Sequence, residues 1–202
     1  MSERQFLEAA TKARTANAIR AIEAQTAVEV VVAVRRQAGR YLASCLGFGV
    51  VCAAAGFLVM WFSPRVYDVR TMPLDVVLAF LLGTVVALGV PGLRRAITPR
   101  QRLELGAQRA AREAFSALGI EKTRGRTGLL VYVTLFERTA VLVPDRGIPE
   151  TAVAESRSTL ASAVSRLDLE AFFGALARLG PAFATVLPRS ADDENELCDD
   201  VA

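Results

Sequence analysis

Two stretches without a single charge constrain this chain more than anything else in it. Residues 42–62, LASCLGFGVVCAAAGFLVMWF, and residues 76–93, VVLAFLLGTVVALGVPGL, hold no Asp, Glu, Lys or Arg. Crossing about 30 Å of hydrocarbon at about 1.5 Å per residue takes roughly 20 residues. The first run fits easily and the second fits narrowly. A core helix in a small domain would keep a polar stripe, and the first run has none. The pattern predicts a transmembrane helical hairpin over 41–95, with one helix between Leu42 and Phe62 and the other between Leu74 and Leu93. Trp61, Phe62 and Tyr67 at one end, and Tyr41 at the other, lie where an interfacial aromatic belt belongs. Cys45 and Cys52 are seven positions apart, on nearly one helix face, and read as small apolar residues.

Charge then sets an expected orientation. Arg35, Arg36 and Arg40 precede the first run, and Arg94, Arg95, Arg100 and Arg102 follow the second. The connecting segment has only Arg65 and Arg70, offset by Asp68 and Asp75. Positive flanks stay inside, so both termini are expected in the cytoplasm and the protein in an inner membrane. The first 26 residues are charged throughout and lack an apolar h-region, so no signal peptide is expected.

Outside the hairpin the periods change. Residues 3–25 space their apolar positions as a helix does, and AVEVVVAV, residues 27–34, is short and valine-rich, as an interior strand is. Thr98-Pro99 is an N-cap and first-turn proline for a helix that stops at Gly119. LLVYVTL and TAVLVPD, joined through Phe136-Glu137-Arg138, read as a β-hairpin. Residues 150–166 and 168–187 read as helices, the second capped by Asp168 and interrupted at Gly180-Pro181. These spans predict an α/β fold: one discontinuous domain, 1–40 with 96–188, interrupted by the hairpin and followed by an acidic tail, 189–202. That tail holds DDENELCDD, whose spacing does not suit an EF-hand and which reads as a solvated acidic segment.

This order of elements resembles the TPM-domain family, named partly for thylakoid-lumen phosphatase-like proteins. Three stretches carry the likeness: IRAIEAQTAVEVVVAV, RTGLLVYVTLFERTAVLVPDRGI and the acidic DDENELCDDV. The last resembles the tail of a bacterial membrane-anchored subgroup. The resemblance covers 5–40 and 96–202, and the hairpin is its strongest part. It implies a TPM-like small sheet packed by helices. It also implies either acid phosphatase activity or metal binding, Ca or Mg, by acidic residues at one end of the sheet. Asp145 carries over as the ligand. At the head of the hairpin many members have Asp-Asn-Gly where this chain has Arg126-Thr127-Gly128, so the first carboxylate does not carry over.

The residues themselves leave the site open. Asp145 either anchors a ligand or, with Arg146 and Gly147, forms an ordinary turn. Arg124 and Arg126, with Thr123 and Thr127, form either an anion pocket or a loop facing lipid headgroups. Glu137 and Arg138 read as a solvated hairpin tip. The candidate cation or anion site is therefore Asp145, Arg126, Glu137 and Arg124. The chain has no histidine, which excludes Ser-His-Asp and Cys-His catalysis. The function expected is an integral inner-membrane protein whose TPM-like cytoplasmic domain serves in binding or assembly. The alternative is a membrane-bound phosphatase-like hydrolase using a divalent cation and acidic residues. Membrane lipid and a protein partner are expected. Nucleic acid is not, since no basic run is interleaved with aromatics.

Overall fold

The computed structural model describes residues 5–64 and 67–189. After a single 3-10 turn at Gln5–Leu7, the elements run α1 (Ala9–Glu23), β1 (Glu29–Arg35), α2 (Leu42–Phe62), α3 (Met72–Gly89), α4 (Pro91–Ile97) and α5 (Arg100–Ala117). A second 3-10 turn, Ile120–Lys122, leads to β2 (Gly128–Thr134) and β3 (Thr139–Pro144), then α6 (Glu150–Ser165), α7 (Leu169–Ala177) and α8 (Leu179–Ala184). The chain forms two compact units: Met1–Ala38 with Glu104–Ala202, and Gly39–Leu103. The boundary falls inside the first turns of α5.

The first unit is an α/β fold, a small mixed sheet packed by helices. The sheet order is β1-β2-β3, with β1 parallel to β2 and β2 antiparallel to β3. Successive side chains alternate between faces. On one face Val30, Val32, Leu129, Val131, Val133, Ala140 and Leu142 meet Ile19 and Ile22 of α1, Leu160 of α6 and Phe172 and Leu176 of α7. On the other, Val31, Ala33, Leu130 and Tyr132 meet Ala111 and Phe115 of α5 and Ile120. All seven residues of β2 are buried, which is why both faces of its sequence read apolar. Burial, added to by Glu137 and Glu113 and opposed by Arg35, raises the pKa of the Tyr132 phenol.

β1 pairs with a strand from the far side of the insertion, Glu29 opposite Gly128 and Arg35 opposite Thr134. The start of its outer edge, and the residues just before it, are capped by the chain itself. The Val30 amide donates to Glu23 Oε1 at 3.1 Å, and the Ala27 amide donates to the Leu187 carbonyl at 3.0 Å. Asp168 caps α7 as its sequence position predicts, accepting from the Ala171 amide at 3.0 Å. The final helix is two helices: α7 ends at Ala177 and α8 takes Pro181 into its first turn. Gly119, at φ +67°, ends α5 in the left-handed region that favours glycine.

The second unit holds two helices long and apolar enough to cross a membrane, 21 and 18 residues. Only 11% and 17% of their apolar windows are buried inside the protein, whereas a core helix would be mostly covered. Their contact seam is made of small residues: Cys45 and Gly49 on α2, with Gly83, Thr84 and Ala87 on α3. Val50, Val51, Leu58, Trp61, Leu74, Leu78 and Leu82 point outward. The second helix stops at Gly89, short of Leu93. Proline disfavours helical backbone in the residue before it, and Val90 is extended at φ −111° and ψ 97°. Leu93 therefore lies on α4, which packs against both α2 and α3. Thr98 does not cap α5; its hydroxyl donates back to the Arg94 carbonyl at 2.7 Å. Tyr41 is buried rather than displayed as an interfacial aromatic.

Candidate functional site

At one end of the sheet the loop before β2 folds onto the turn after β3. The Asp145 amide donates to the Gly128 carbonyl at 2.8 Å, and the Gly147 amide donates to the Arg126 carbonyl at 2.9 Å. The Ile148 amide closes the turn on the Asp145 carbonyl at 3.0 Å, and the Arg126 amide closes the loop on the Thr123 carbonyl at 3.1 Å. Only glycine fits at position 147. A Cβ there would come within 2.6 Å of the carbonyl oxygens of both Gly125 and Arg126. Arg126 itself sits at φ +53°, a left-handed conformation costing an L-residue roughly 1–2 kcal/mol.

Asp145 is thus a turn residue and also a buried carboxylate, 6% exposed. Its Oδ1 accepts from the Arg146 amide at 2.7 Å and lies 4.0 Å from the Arg126 guanidinium. Its Oδ2 is buried without a hydrogen-bond partner, as is the hydroxyl of Thr123, a residue no motif singled out alone. Buried carboxylate oxygens are costly without a donor or cation. The oxygens at this end that would suit a hard cation are Asp145 Oδ2, Thr123 Oγ1 and the Gly125 and Arg126 carbonyls. Calcium takes six to eight oxygens, usually with several carboxylates. Among the described residues no group of three or more His, Cys, Asp or Glu is placed to hold a metal. A single carboxylate beside an arginine fits a divalent cation poorly.

The structure brings together three of the four expected site residues. Asp145, Arg126 and Arg124 share this end, with both arginines exposed. Glu137 lies at the opposite end of β2, roughly 20 Å away by strand rise. Nor is Glu137 a solvated tip: it is 8% exposed, and its Oε1 accepts from the Ala38 amide at 2.9 Å. Leu135 and Phe136 donate to the Arg35 and Arg36 carbonyls in the same way, at 3.0 and 2.9 Å. The hairpin turn is a clasp on the segment leaving β1. Arg138 beside it is half-buried at φ +52°.

A second feature was invisible to motif reading. Along the outer edge of β3 runs a groove of about 680 Å³. One wall is Glu104, Gln108 and Arg112, one helical stripe of α5; the other is Glu150, Ala154, Arg157 and Ser158 of α6. Arg157 and Glu150 pair across that wall at 2.8 Å. The floor is Thr139 through Pro144. Antiparallel ladders alternate hydrogen-bonded and open positions. Since Asp145 bonds Gly128, the ladder alternation turns the amides of Ala140 and Leu142 outward, together with the carbonyls of Ala140, Leu142 and Pro144. Among the described residues no strand pairs with this edge.

No family model and no curated protein matches this chain. Among solved structures it is similar to the NMR structure of the BA42 protein from the psychrophilic bacterium Bizionia argentinensis sp. nov.. The TM-score is 0.59 at 16% identity, over 100% of this chain and 97% of that one, and the likeness is one of fold.

Proposed function

We propose that this is an integral inner-membrane protein, anchored by α2 and α3, whose TPM-like α/β unit is a cytoplasmic, non-enzymatic binding or assembly module. The observation that carries the binding reading is the asymmetry of the sheet. The outer edge of β1 is capped at its start, where Val30 bonds Glu23, while the outer edge of β3 lies open between two helical walls. Exposed strand edges are normally blunted or covered. An edge presenting outward amides and carbonyls in a walled groove suits an extended peptide segment of a partner protein, added as a fourth strand. The anchoring reading rests on the length and outward apolar faces of the two helices. The orientation rests on seven flanking arginines against two in the connecting segment.

The test uses the full chain in its membrane, with a photo-crosslinking residue in place of Ser158. A discrete adduct is expected, lost with Ala140→Pro and kept with Asp145→Asn. Proline at 140 removes an outward amide and spares the ladder to β2, a substitution edge strands accept. Adduct formation indifferent to Ala140→Pro would sink the strand-addition reading. A second reading, a membrane-bound phosphatase-like hydrolase, draws on the unpartnered Oδ2 of Asp145 and the Thr123 hydroxyl beside Arg124 and Arg126. Cation-dependent phosphate release abolished by Asp145→Asn would install it.

A further inference from the structure

A strand added at the β3 edge would meet two unlike walls, and the ladder fixes which of its residues meets which. Ala140, Leu142 and Pro144 turn their backbone outward. Residues directly opposite one another share a face of the sheet. Ala140 and Leu142 belong to the core that holds Leu160 of α6. Every second residue of the incoming strand, opposite those two, therefore faces the α6 wall at Ala154, Ser158 and Ala161. These three lie at helical spacing and are small, which leaves room for apolar side chains. The intervening residues fall on the face of Val141 and Val143, which pack with the α5 cluster. They meet Glu104, Gln108 and Arg112.

The charges along the groove are not equivalent. A Cβ on Gly128 would strike Ile120, so the C-terminal end of α5 lies level with Asp145, just beyond β3. Arg112 is therefore nearer the Pro144 end of the groove than Glu104 is. Glu104 has Arg100 one turn before it on α5. At the same spacings Arg112 has Gln108, Arg109, Phe115 and Ser116, and no acid. Glu113, next in sequence, points about 100° away around the helix. Across the groove Glu150 is held by Arg157 at 2.8 Å. The exposed guanidinium of Arg112 thus offers its fork to a carboxylate carried by the incoming strand. We propose that the groove selects a partner segment in which apolar residues alternate with polar ones, with an aspartate or glutamate at the polar position facing Arg112. The proposal deepens the strand-addition reading and rests on it.

The probe is a capped, fluorescently labelled peptide that alternates valine with threonine and carries glutamate at its central polar position. Companion peptides carry glutamine or lysine there. Binding to the full chain in detergent micelles is followed by fluorescence anisotropy. The wild type is expected to bind the glutamate peptide about two- to fivefold more tightly than the glutamine peptide, and the lysine peptide least tightly. The preference should shrink with added salt. Arg112→Glu, at an exposed helix position, should put the lysine peptide first and the glutamate peptide last. Equal binding of all three by the wild type would overturn the proposal and leave strand addition standing, and so would an unchanged order in Arg112→Glu. Binding that appears only once residues 190–202 are removed would make the chain's own acidic segment the occupant and overturn it too. Binding indifferent to Ala140→Pro, or failure of all three peptides with and without residues 190–202, would sink strand addition itself, a distinct failure.

Discussion

Gly49 of α2 faces Thr84 of α3 so closely that a Cβ on the glycine would overlap the threonine hydroxyl and lie 2.8 Å from the Phe80 carbonyl oxygen. Between membrane helices, where apolar surface gains nothing by leaving lipid, such close approach supplies much of the packing. Gly49→Val is expected to destabilise the helix pair by about 1–3 kcal/mol, the usual cost of overpacking. Gly47, with nothing within 4 Å of its Cβ direction, should accept alanine without loss. Unfolding of the purified chain in detergent, titrated with SDS, measures both.

The clasp at Glu137 makes a second prediction. Glu137→Ala leaves the part-buried Ala38 amide without its acceptor, at a cost of about 1 kcal/mol. Hydrogen exchange at Ala38 should accelerate far more than exchange in α7. Glu137→Gln, whose amide oxygen still accepts, should restore most of the protection. Unchanged exchange at Ala38 in the alanine variant would show that the bond holds nothing.

Asp145 separates the two functional readings. Asn at 145 keeps the shape of the turn and removes a buried charge whose Oδ2 has no donor. On the binding-module reading the variant melts at the wild-type temperature or above it, and calcium or magnesium shifts neither protein. A cation bound only to the folded state would raise the wild-type melting temperature with its concentration, and Asp145→Asn would abolish that rise. Differential scanning fluorimetry across a cation series distinguishes the outcomes.

A fourth prediction concerns acid. Arg14 grips both oxygens of Glu170, at 2.5 and 2.6 Å, and its guanidinium lies 4.1 Å from the centre of the Phe173 ring. That hydrogen bonding holds the Glu170 carboxyl below the usual range, with slight burial opposing and the arginine charge assisting. A depressed carboxyl stabilises the fold above its unfolded value, roughly 4.3, and the gain is lost as pH falls through the lower folded value. Wild type should therefore lose stability on acidification somewhat faster than Glu170→Gln, at low salt. Near neutral pH the two should differ little, because the pair is exposed. Melting curves across the acid range provide the comparison.

Local patterns carried much of this architecture. The uncharged runs mark α2 and α3, the valine run marks β1, and Asp168 and Gly119 mark helix ends by chemistry that depends only on their neighbours. What sequence did not reveal depends on distant partners. Glu137 reads as a solvated tip until residues 35–38, some hundred positions earlier, fold over it. Thr98 carries a capping signal, but α4 stands ahead of it and takes its hydroxyl. α4 was hidden because Val90-Pro91 lies inside a run with no charge to mark the break. At the candidate site, Asp145 was legible from its Asp-Arg-Gly turn. Its bare Oδ2, the buried Thr123 hydroxyl and the groove along β3 arise only when separate segments meet.

The parallel pairing of Glu29 with Gly128 has a consequence in time as well as space. A ribosome emits β1 about a hundred residues before β2. At about 5–20 residues per second, β1 waits roughly 5–20 s for the strand that completes its ladder. During that interval α2 and α3 leave the exit tunnel and, as proposed, enter the bilayer. The nascent sheet is then finished by a chain already tethered at both sides of the gap. Insertion becomes the step that brings the two halves of the sheet within reach of each other, and a hairpin delayed at the translocon would leave a valine-rich strand exposed to aggregation.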